Sequence, residues 1–402
     1  MLKSSIDDML IQEAFKVLDE HISNDQKIAV AFSGGKDSTC LALLLLDWIS
    51  ERGRSDIDVI LVHSDTLSEI PDMENWVSEF IETYKSHAKK LGVNIESIIK
   101  TPKPNETFYW RSLIRGYSAP TFSFRWCVYL LKRVPAREAL IQVGNVKILL
   151  GHRDEESSAR VTSLIRRGAI CPLTAGKCGN YYYNIEGSSI KIYPIRSWST
   201  GDVWKYLREW YSKINLENLF RLYLEGSLPA RYGCWHCTLV KRQLAHYILR
   251  EEYLYYEAAR FIYRMISDIM WLRMPKDKGY SKLGPLTPVA RAILARTLQL
   301  TEELSRIKFY GLDDAKIEGY TLREILFELS PSKANKIIQR IDHKVLKTEP
   351  WRYTSIENVR NIQKHREYVF KIAKYLHSRR AYIDQDVNDR LIEIYEQIIA
   401  RR

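Results

Sequence analysis

No run of the 402-residue sequence is long and apolar enough to span a bilayer: the longest, Leu41 to Leu46 with Trp48 and Ile49, is broken by Asp47. Residues Met1 to Phe15 carry Asp7, Asp8 and Glu13 and lack the apolar segment of a secretion signal, so the expected setting is cytoplasmic, without a membrane partner. Cysteine is scarce. The six residues, Cys40, Cys127, Cys171, Cys178, Cys234 and Cys237, leave the last 165 positions with none. In a cytoplasmic chain of this length they read as metal ligands, reactive thiols or core residues rather than as a disulfide scaffold. Several catalytic signatures are also missing. The nine histidines show no H-E-x-x-H spacing, and neither G-x-S-x-G nor G-x-x-x-x-G-K-[ST] occurs, which excludes a zinc-protease helix, a hydrolase elbow and a Walker-type phosphate loop. Acidic residues are in deficit, 49 against 61 Lys and Arg, and the net charge of +12 favours polyanionic partners.

With 46% hydrophobic residues the chain can bury a sizeable core, and its length suits a main domain plus an appendage. Apolar spacing predicts a helix over residues 4–22, and Lys27 to Phe32 (KIAVAF) reads as a buried strand. A buried helix over Ser38 to Ile49, a strand at Val59 to His63, a helix over Asn75 to Leu91 and a short strand at Asn94 to Ile99 continue the alternation. Lys147 to Leu150 (KILL) reads as a further central strand. Such alternation predicts an α/β fold with a parallel sheet, flanking helices and ligands at the strand C-termini. After Cys237 the pattern turns to long, aromatic-rich helices broken at Pro275 to Pro285. The expected division is an α/β domain over 1–240 and a mostly α-helical region over 241–402.

Ser33-Gly34-Gly35-Lys36-Asp37-Ser38 sits directly between the first strand and its helix. Two glycines let backbone N–H groups approach an anion, the helix N-terminus adds a positive dipole end, and Ser33, Ser38 and Lys36 offer further donors. Asp37 is suited to Mg²⁺, which accompanies nucleotide phosphates. The hexapeptide resembles the SGGKDS loop of the N-type ATP pyrophosphatases, whose adenine nucleotide alpha hydrolase-like, Rossmann-like fold splits ATP between its α and β phosphates. That resemblance implies ATP as substrate and adenylation as the reaction, with Lys36 and Asp37 catalytic.

Other motifs narrow the branch. Gly151-His152-Arg153-Asp154-Glu155-Glu156-Ser157 with Arg160 is similar to the G-x-R-x-x-E-S-x-x-R segment of the phosphoadenylyl-sulfate (PAPS) reductase superfamily, which implies that Gly151 and Arg153 bind the nucleotide and that Arg153 and Arg160 are catalytic. Arg125-Trp126-Cys127 followed by Leu131-Lys132 and Pro135, and Pro194-Ile195 followed by Asp202-Val203-Trp204, resemble two further signatures of that superfamily. Arg231-Tyr232-Gly233-Cys234-Trp235-His236-Cys237-Thr238 and Gly284 to Arg291 (GPLTPVAR) are closest to DndC-type DNA phosphorothioation proteins. Sulfonucleotide reductases use a thiol near the C-terminus, and none follows Cys237 here. The resemblance to DndC-type proteins implies instead that a DNA backbone phosphate is adenylated and its oxygen replaced by sulfur. A cysteine desulfurase and other phosphorothioation subunits would be partners. Sulfonucleotide reduction, tRNA thiolation and a non-enzymatic ATP-binding scaffold are the alternatives.

Cys234-x-x-Cys237 lets two thiolates reach one metal but is half of a four-sulfur site. Cys127, Cys171 and Cys178 compete for the other places. The resemblance implies a [4Fe–4S] cluster, with structural zinc as the alternative, and favours Cys127 as a ligand. Cys40 is expected to pack inside its helix. Residues 101–170 hold 12 Lys and Arg against 5 Asp and Glu. There Arg111, Arg115, Arg125, Lys132 and Arg133 are interleaved with Phe108, Tyr109, Trp110, Tyr117 and Phe122, a texture that suits phosphates with bases stacked alongside.

Overall fold

Asp7 opens the first helix, α1 (Asp8–Ile22), by accepting a hydrogen bond from the Met9 N–H at 2.9 Å. The chain then enters β1 (Lys27–Ala31), in which Ile28, Ala29 and Val30 are fully buried, as a strand covered on both faces requires. There follow α2 (Lys36–Arg52), β2 (Asp58–Ser64), α3 (Pro71–Lys90), β3 (Ile95–Lys100), α4 (Val134–Val143), β4 (Lys147–Leu150), β5 (Tyr183–Glu186), β6 (Ser189–Ile192), α5 (Thr200–Trp210) and α6 (Glu217–Leu222). The computed structural model describes residues 6–156, 181–186, 189–224, 233–240, 243, 246–247, 249–269, 272–275, 283–343 and 385–400.

One six-stranded sheet runs in the order β3-β2-β1-β4-β6-β5. All neighbours pair in parallel except β5 and β6, which form an antiparallel hairpin. Ala31 of β1 stands opposite Val62 of β2 and Leu150 of β4. The loops beginning at Phe32 and Gly151 therefore leave the same sheet edge side by side, at the strand C-termini. The parallel α/β expectation holds, and β4 falls on the residues read as KILL.

The chain forms two compact units interleaved in sequence. The first comprises Met1–Ser64, Asp72–Lys100 and Pro135–Pro229, and the second Asp65–Pro71, Thr101–Val134 and Ala230–Arg402. A single boundary near 240 misses this, because residues 101–134 pack with the later helices. The second unit is built around α7 (Tyr253–Asp268), a strand pair β7 (Arg273–Pro275) and β8 (Leu283–Leu286), and α8 (Pro288–Ser305). Thr287 caps α8 by accepting from Ala290 N–H at 3.2 Å, with Pro288 at the first helical position. Arg291, 2% exposed, donates to the carbonyl of Ile114 at 2.8 Å. The GPLTPVAR motif is thus a helix start that locks the π-helical segment Trp110–Ile114. A second π-helical segment, Val128–Arg133, follows Cys127.

Candidate functional site

In the first unit, the phosphate loop is shaped from both sides. Phe32 N–H donates to the Val62 carbonyl at 2.9 Å, and Trp76 Nε1 donates to the Gly34 carbonyl at 2.8 Å. Gly34 has φ +73°, and a Cβ there would lie 2.4 Å from Val77 Cγ2, so glycine is required by both conformation and space. Ser38 Oγ accepts from Ser33 N–H at 3.1 Å and donates to the Gly35 carbonyl at 2.9 Å, closing the turn. The N-cap of α2 is Gly35, which brings no capping side chain of its own. Gly151 meets the loop directly: a Cβ there would lie 2.8 Å from the Asp37 carbonyl oxygen.

Asp37 lies between two cations. Its Oδ2 accepts from Lys36 Nζ at 2.8 Å and its Oδ1 from Arg153 Nε at 2.7 Å. Burial pushes the Asp37 carboxyl up, but Lys36 and Arg153 outweigh it and hold the group below the usual carboxylate range. Arg153, whose side chain is 1% exposed, also donates to Glu155 Oε2 at 3.0 Å, the Trp198 carbonyl at 3.0 Å and Thr200 Oγ1 at 3.1 Å. Sequence reasoning assigned Arg153 to polyphosphate. The structure pairs it with Asp37 inside the loop. Tyr223 is a neighbour that sequence reasoning missed: its hydroxyl accepts from Lys36 N–H at 3.5 Å, and Lys36 Nζ lies 5.8 Å from its ring centre. No motif marked it. Arg160 lies outside the described residues. The loop's donors and the Asp37 carboxylate fit a nucleotide's phosphates and their Mg²⁺.

In the second unit, Cys127 begins the π-helical segment that carries Lys132, and i→i+5 bonding sets residues five apart over one another. Cys234 Sγ donates to Thr66 Oγ1 at 3.4 Å, and Cys237 N–H donates to the Cys234 carbonyl at 3.0 Å. The turn is braced by Trp235 N–H on the Ser68 carbonyl at 2.8 Å and by Arg260 on the Cys237 carbonyl at 3.0 Å. Arg260 is held in turn by Glu257, which also accepts from His246 Nδ1 at 2.7 Å. Burial pushes the Cys234 thiol up to about 12, with Lys132 opposing, and the Cys127 thiol up to about 11, with the Cys237 charge adding to the rise. Burial alone would lower the Lys132 ammonium, but the charges of Cys234, Glu69, Cys237 and Cys127 outweigh it and raise its pKa. Cys127, Cys234 and Cys237 therefore share one neighbourhood, with Lys132, which the sequence pattern assigned to nucleic-acid phosphates, as a common countercharge.

Among the described residues no three His, Cys, Asp or Glu side chains converge closely enough to hold a metal ion. Cys171 and Cys178 lie outside the described residues. The soft thiols, offset by Lys132, have the donor chemistry of an iron–sulfur or zinc site. Cys40 is fully buried in α2, as expected of a core residue. His236 lies in the turn between the two cysteines, is 1% exposed and stacks on Phe108 at 3.9 Å between ring centres, so it packs into the core. Arg111 and Arg115 turn their charge inward: Arg111 lies 3.9 Å from Glu106 and Arg115 pairs with Asp342.

A mostly parallel sheet with a glycine-rich loop between its central strand and a helix defines a nucleotide-binding protein of the Rossmann-like α/β class. Residues 27–240, just over half the chain, match the phosphoadenosine phosphosulfate reductase domain, and the chain belongs to that family. The uncharacterized protein MJ0973 of Methanocaldococcus jannaschii is 29% identical over 210 residues, 52% of this chain and 41% of that protein. The chain thus spans about two fifths of the length of the curated relative it matches. A solved phosphoadenylyl-sulfate (PAPS) reductase from Candida auris, in a phosphate complex, is similar at 21% identity over 59% of this chain and 100% of that one, with a TM-score of 0.37. The U34-tRNA thiolase NcsA from Methanococcus maripaludis, with its [4Fe-4S] cluster, is similar at 15% identity over 57% of this chain and 69% of that one, with a TM-score of 0.33. Among the described residues no helix is long and apolar enough to cross a membrane.

Proposed function

We propose that the chain is an ATP pyrophosphatase that adenylates a DNA backbone phosphate so that sulfur can replace one of its oxygens. The observation that carries the ATP half is the SGGKDS loop at the start of α2, with Asp37 held between Lys36 and Arg153. The DNA half rests on the RYGCWHCT and GPLTPVAR motifs and on the basic excess of residues 101–170.

In this reading a nonbridging oxygen of the DNA phosphate attacks the α-phosphorus of ATP, the bond to the β-phosphate breaks, and pyrophosphate leaves. Backbone N–H groups of Gly35 to Ser38 and the Lys36 ammonium receive the charge that develops on the leaving group. Asp37 and Ser38 would hold Mg²⁺, which supplies charge neutralisation between the phosphates. Sulfur delivered as persulfide by a cysteine desulfurase, and reduced to sulfide by a thiol reductant, then attacks the DNA phosphorus. AMP departs with the displaced oxygen, so no further electrons are needed. Cys127, Cys234 and Cys237, with Cys171 or Cys178, would hold a [4Fe–4S] cluster, which supplies iron able to bind sulfur; zinc is the alternative. Lys132 offsets the thiolate charge whichever is bound.

The test is product analysis with ATP and DNA, together with sulfur analysis of DNA from a host with and without the gene. AMP and pyrophosphate, and DNA sulfur that disappears with the gene, are expected. ADP and phosphate would end the adenylation reading. Sulfite from a sulfonucleotide would indicate reduction instead, and gene-dependent sulfur in tRNA alone would indicate thiolation.

A further inference from the structure

Few large apolar side chains are exposed among the described residues, and three of them lie within one eight-residue span of the second unit. Phe122 is 74%, Phe124 45% and Tyr129 59% exposed. The segment that presents them is firmly seated. Pro120 accepts from Thr238 Oγ1 at 2.7 Å, Ala119 N–H donates to Ser267 Oγ at 2.8 Å, and Trp126 Nε1 donates to the Ser118 carbonyl at 3.0 Å. The tip closes on itself, with Thr121 and Phe124 exchanging backbone hydrogen bonds at 3.3 and 3.1 Å. Phe124 leans on Tyr117 at 5.9 Å, and Tyr117 meets the buried Trp126 edge-on at 5.3 Å. These rings are held outward by a rigid base, against the hydrophobic effect.

Charge indicates what covers them. From Thr107 to Arg137 the sequence contains no Asp or Glu. Arg111 and Arg115 are paired with carboxylates and Lys132 lies beside Glu69 and the thiols, whereas Arg125 and Arg133 are exposed. The Arg125 guanidinium lies 5.0 Å from the Phe122 ring centre, a cation beside an open aromatic face. Separate exposed rings with cations between them suit bases and phosphates in alternation. Duplex DNA buries its base faces by stacking and offers this surface only phosphates, whereas an unpaired strand offers both.

We propose that Phe122, Phe124 and Tyr129, with Arg125 and Arg133, form a stacking platform for single-stranded DNA. This rests on the reading of DNA as substrate and adds that the target is locally unpaired. The test uses the full chain and fluorescence anisotropy with a labelled oligothymidylate of about a dozen nucleotides and the matching duplex. In the triple variant Phe122→Ala, Phe124→Ala, Tyr129→Ala the single-strand Kd should rise at least about tenfold, since each lost base–ring stack weakens binding roughly five- to hundredfold. Duplex affinity, ATP binding and the melting temperature should stay at wild-type values. Tyrosine at 122 and 124 should restore most of the loss, and Arg125→Ala should reduce the salt dependence of single-strand binding by about one counterion. Unchanged single-strand affinity, or equal weakening for duplex and single strand, overturns the platform. A wild-type dimer that the triple variant turns into a monomer overturns it too, by seating a second copy on the rings. The two readings fail separately: AMP formation with a silent ring variant sinks only the platform, and ring-dependent DNA binding without AMP formation sinks only adenylation.

Discussion

Replacing Arg153 by leucine would show whether the phosphate loop depends on the cation paired with Asp37. The guanidinium makes hydrogen bonds to Asp37, Glu155, the Trp198 carbonyl and Thr200. Its removal leaves the Asp37 charge dependent on Lys36, which is shared with any bound phosphate. Breaking a buried ion pair from one side costs about 3–5 kcal/mol, a large part of a typical domain's stability of about 5–15 kcal/mol. At roughly 2–4 °C per kcal/mol, the unfolding midpoint should fall by about 6–20 °C. Removing both charges, in Asp37→Asn with Arg153→Leu, should be less damaging than Arg153→Leu alone, because no unpaired charge stays behind. The pH response has a definite sign. The folded Asp37 pKa lies below its unfolded value, so its contribution is present above an ordinary carboxylate pKa of about 3.9 and is lost as pH falls through the depressed value. Without Arg153 that loss should begin at higher pH. Thermal unfolding followed by circular dichroism, at neutral pH and across the acid limb, measures both effects. A midpoint within about 2 °C of wild type and an unmoved acid limb would refute the reasoning.

Lys36→Ala and Asp37→Asn should each abolish AMP and pyrophosphate release; release within about tenfold of wild type would remove them from catalysis. Anaerobically purified protein should be brown with about four irons per chain, and Cys234→Ser or Cys237→Ser should bleach it; colourless protein with one tightly held zinc would replace the cluster by a structural metal. Glu257 is pulled down to about 2, burial being outweighed chiefly by the Arg260 charge, so its contribution holds above the ordinary glutamate range and fades only toward that value. Glu257→Gln should therefore destabilise the protein by about 3–5 kcal/mol at neutral pH in urea unfolding, and a loss under about 1 kcal/mol would show that Arg260 is held otherwise.

Much of the first unit was legible because its signals are local. Agreement within one residue at each end of β1, β2 and β3, and identity at β4, follow from short apolar runs that a two-sided parallel sheet demands. The β5–β6 hairpin was not read, since Tyr183–Glu186 and Ser189–Ile192 are short and half-polar at the sheet edge. The SGGKDS loop was legible as a unit, but the Arg153–Asp37 pair was not, because it depends on β1 and β4 being neighbours in the sheet, which spacing along the chain does not reveal. The division into units was misread because residues 101–134 share their basic, aromatic texture with no neighbour in sequence and find their packing partner in Arg291 and its helix. Lys132 was read as a phosphate contact because helix patterns assume 3.6 residues per turn and do not foresee the π-helical step from Cys127.

That last departure affects which changes the chain can tolerate. A π-helical turn is an α-helix with one residue too many, and its poorer hydrogen bonding is an expense that a deletion would relieve. Losing one residue between Cys127 and Lys132 would let the segment relax into an α-helix, in which a four-residue step is again about one turn, so Lys132 would keep its facing relative to Cys127. Point substitutions on its outer face would leave the spacing intact. A one-residue deletion is therefore the length change this segment tolerates best, and alignments of this chain with related ones should allow a single gap between Cys127 and Lys132.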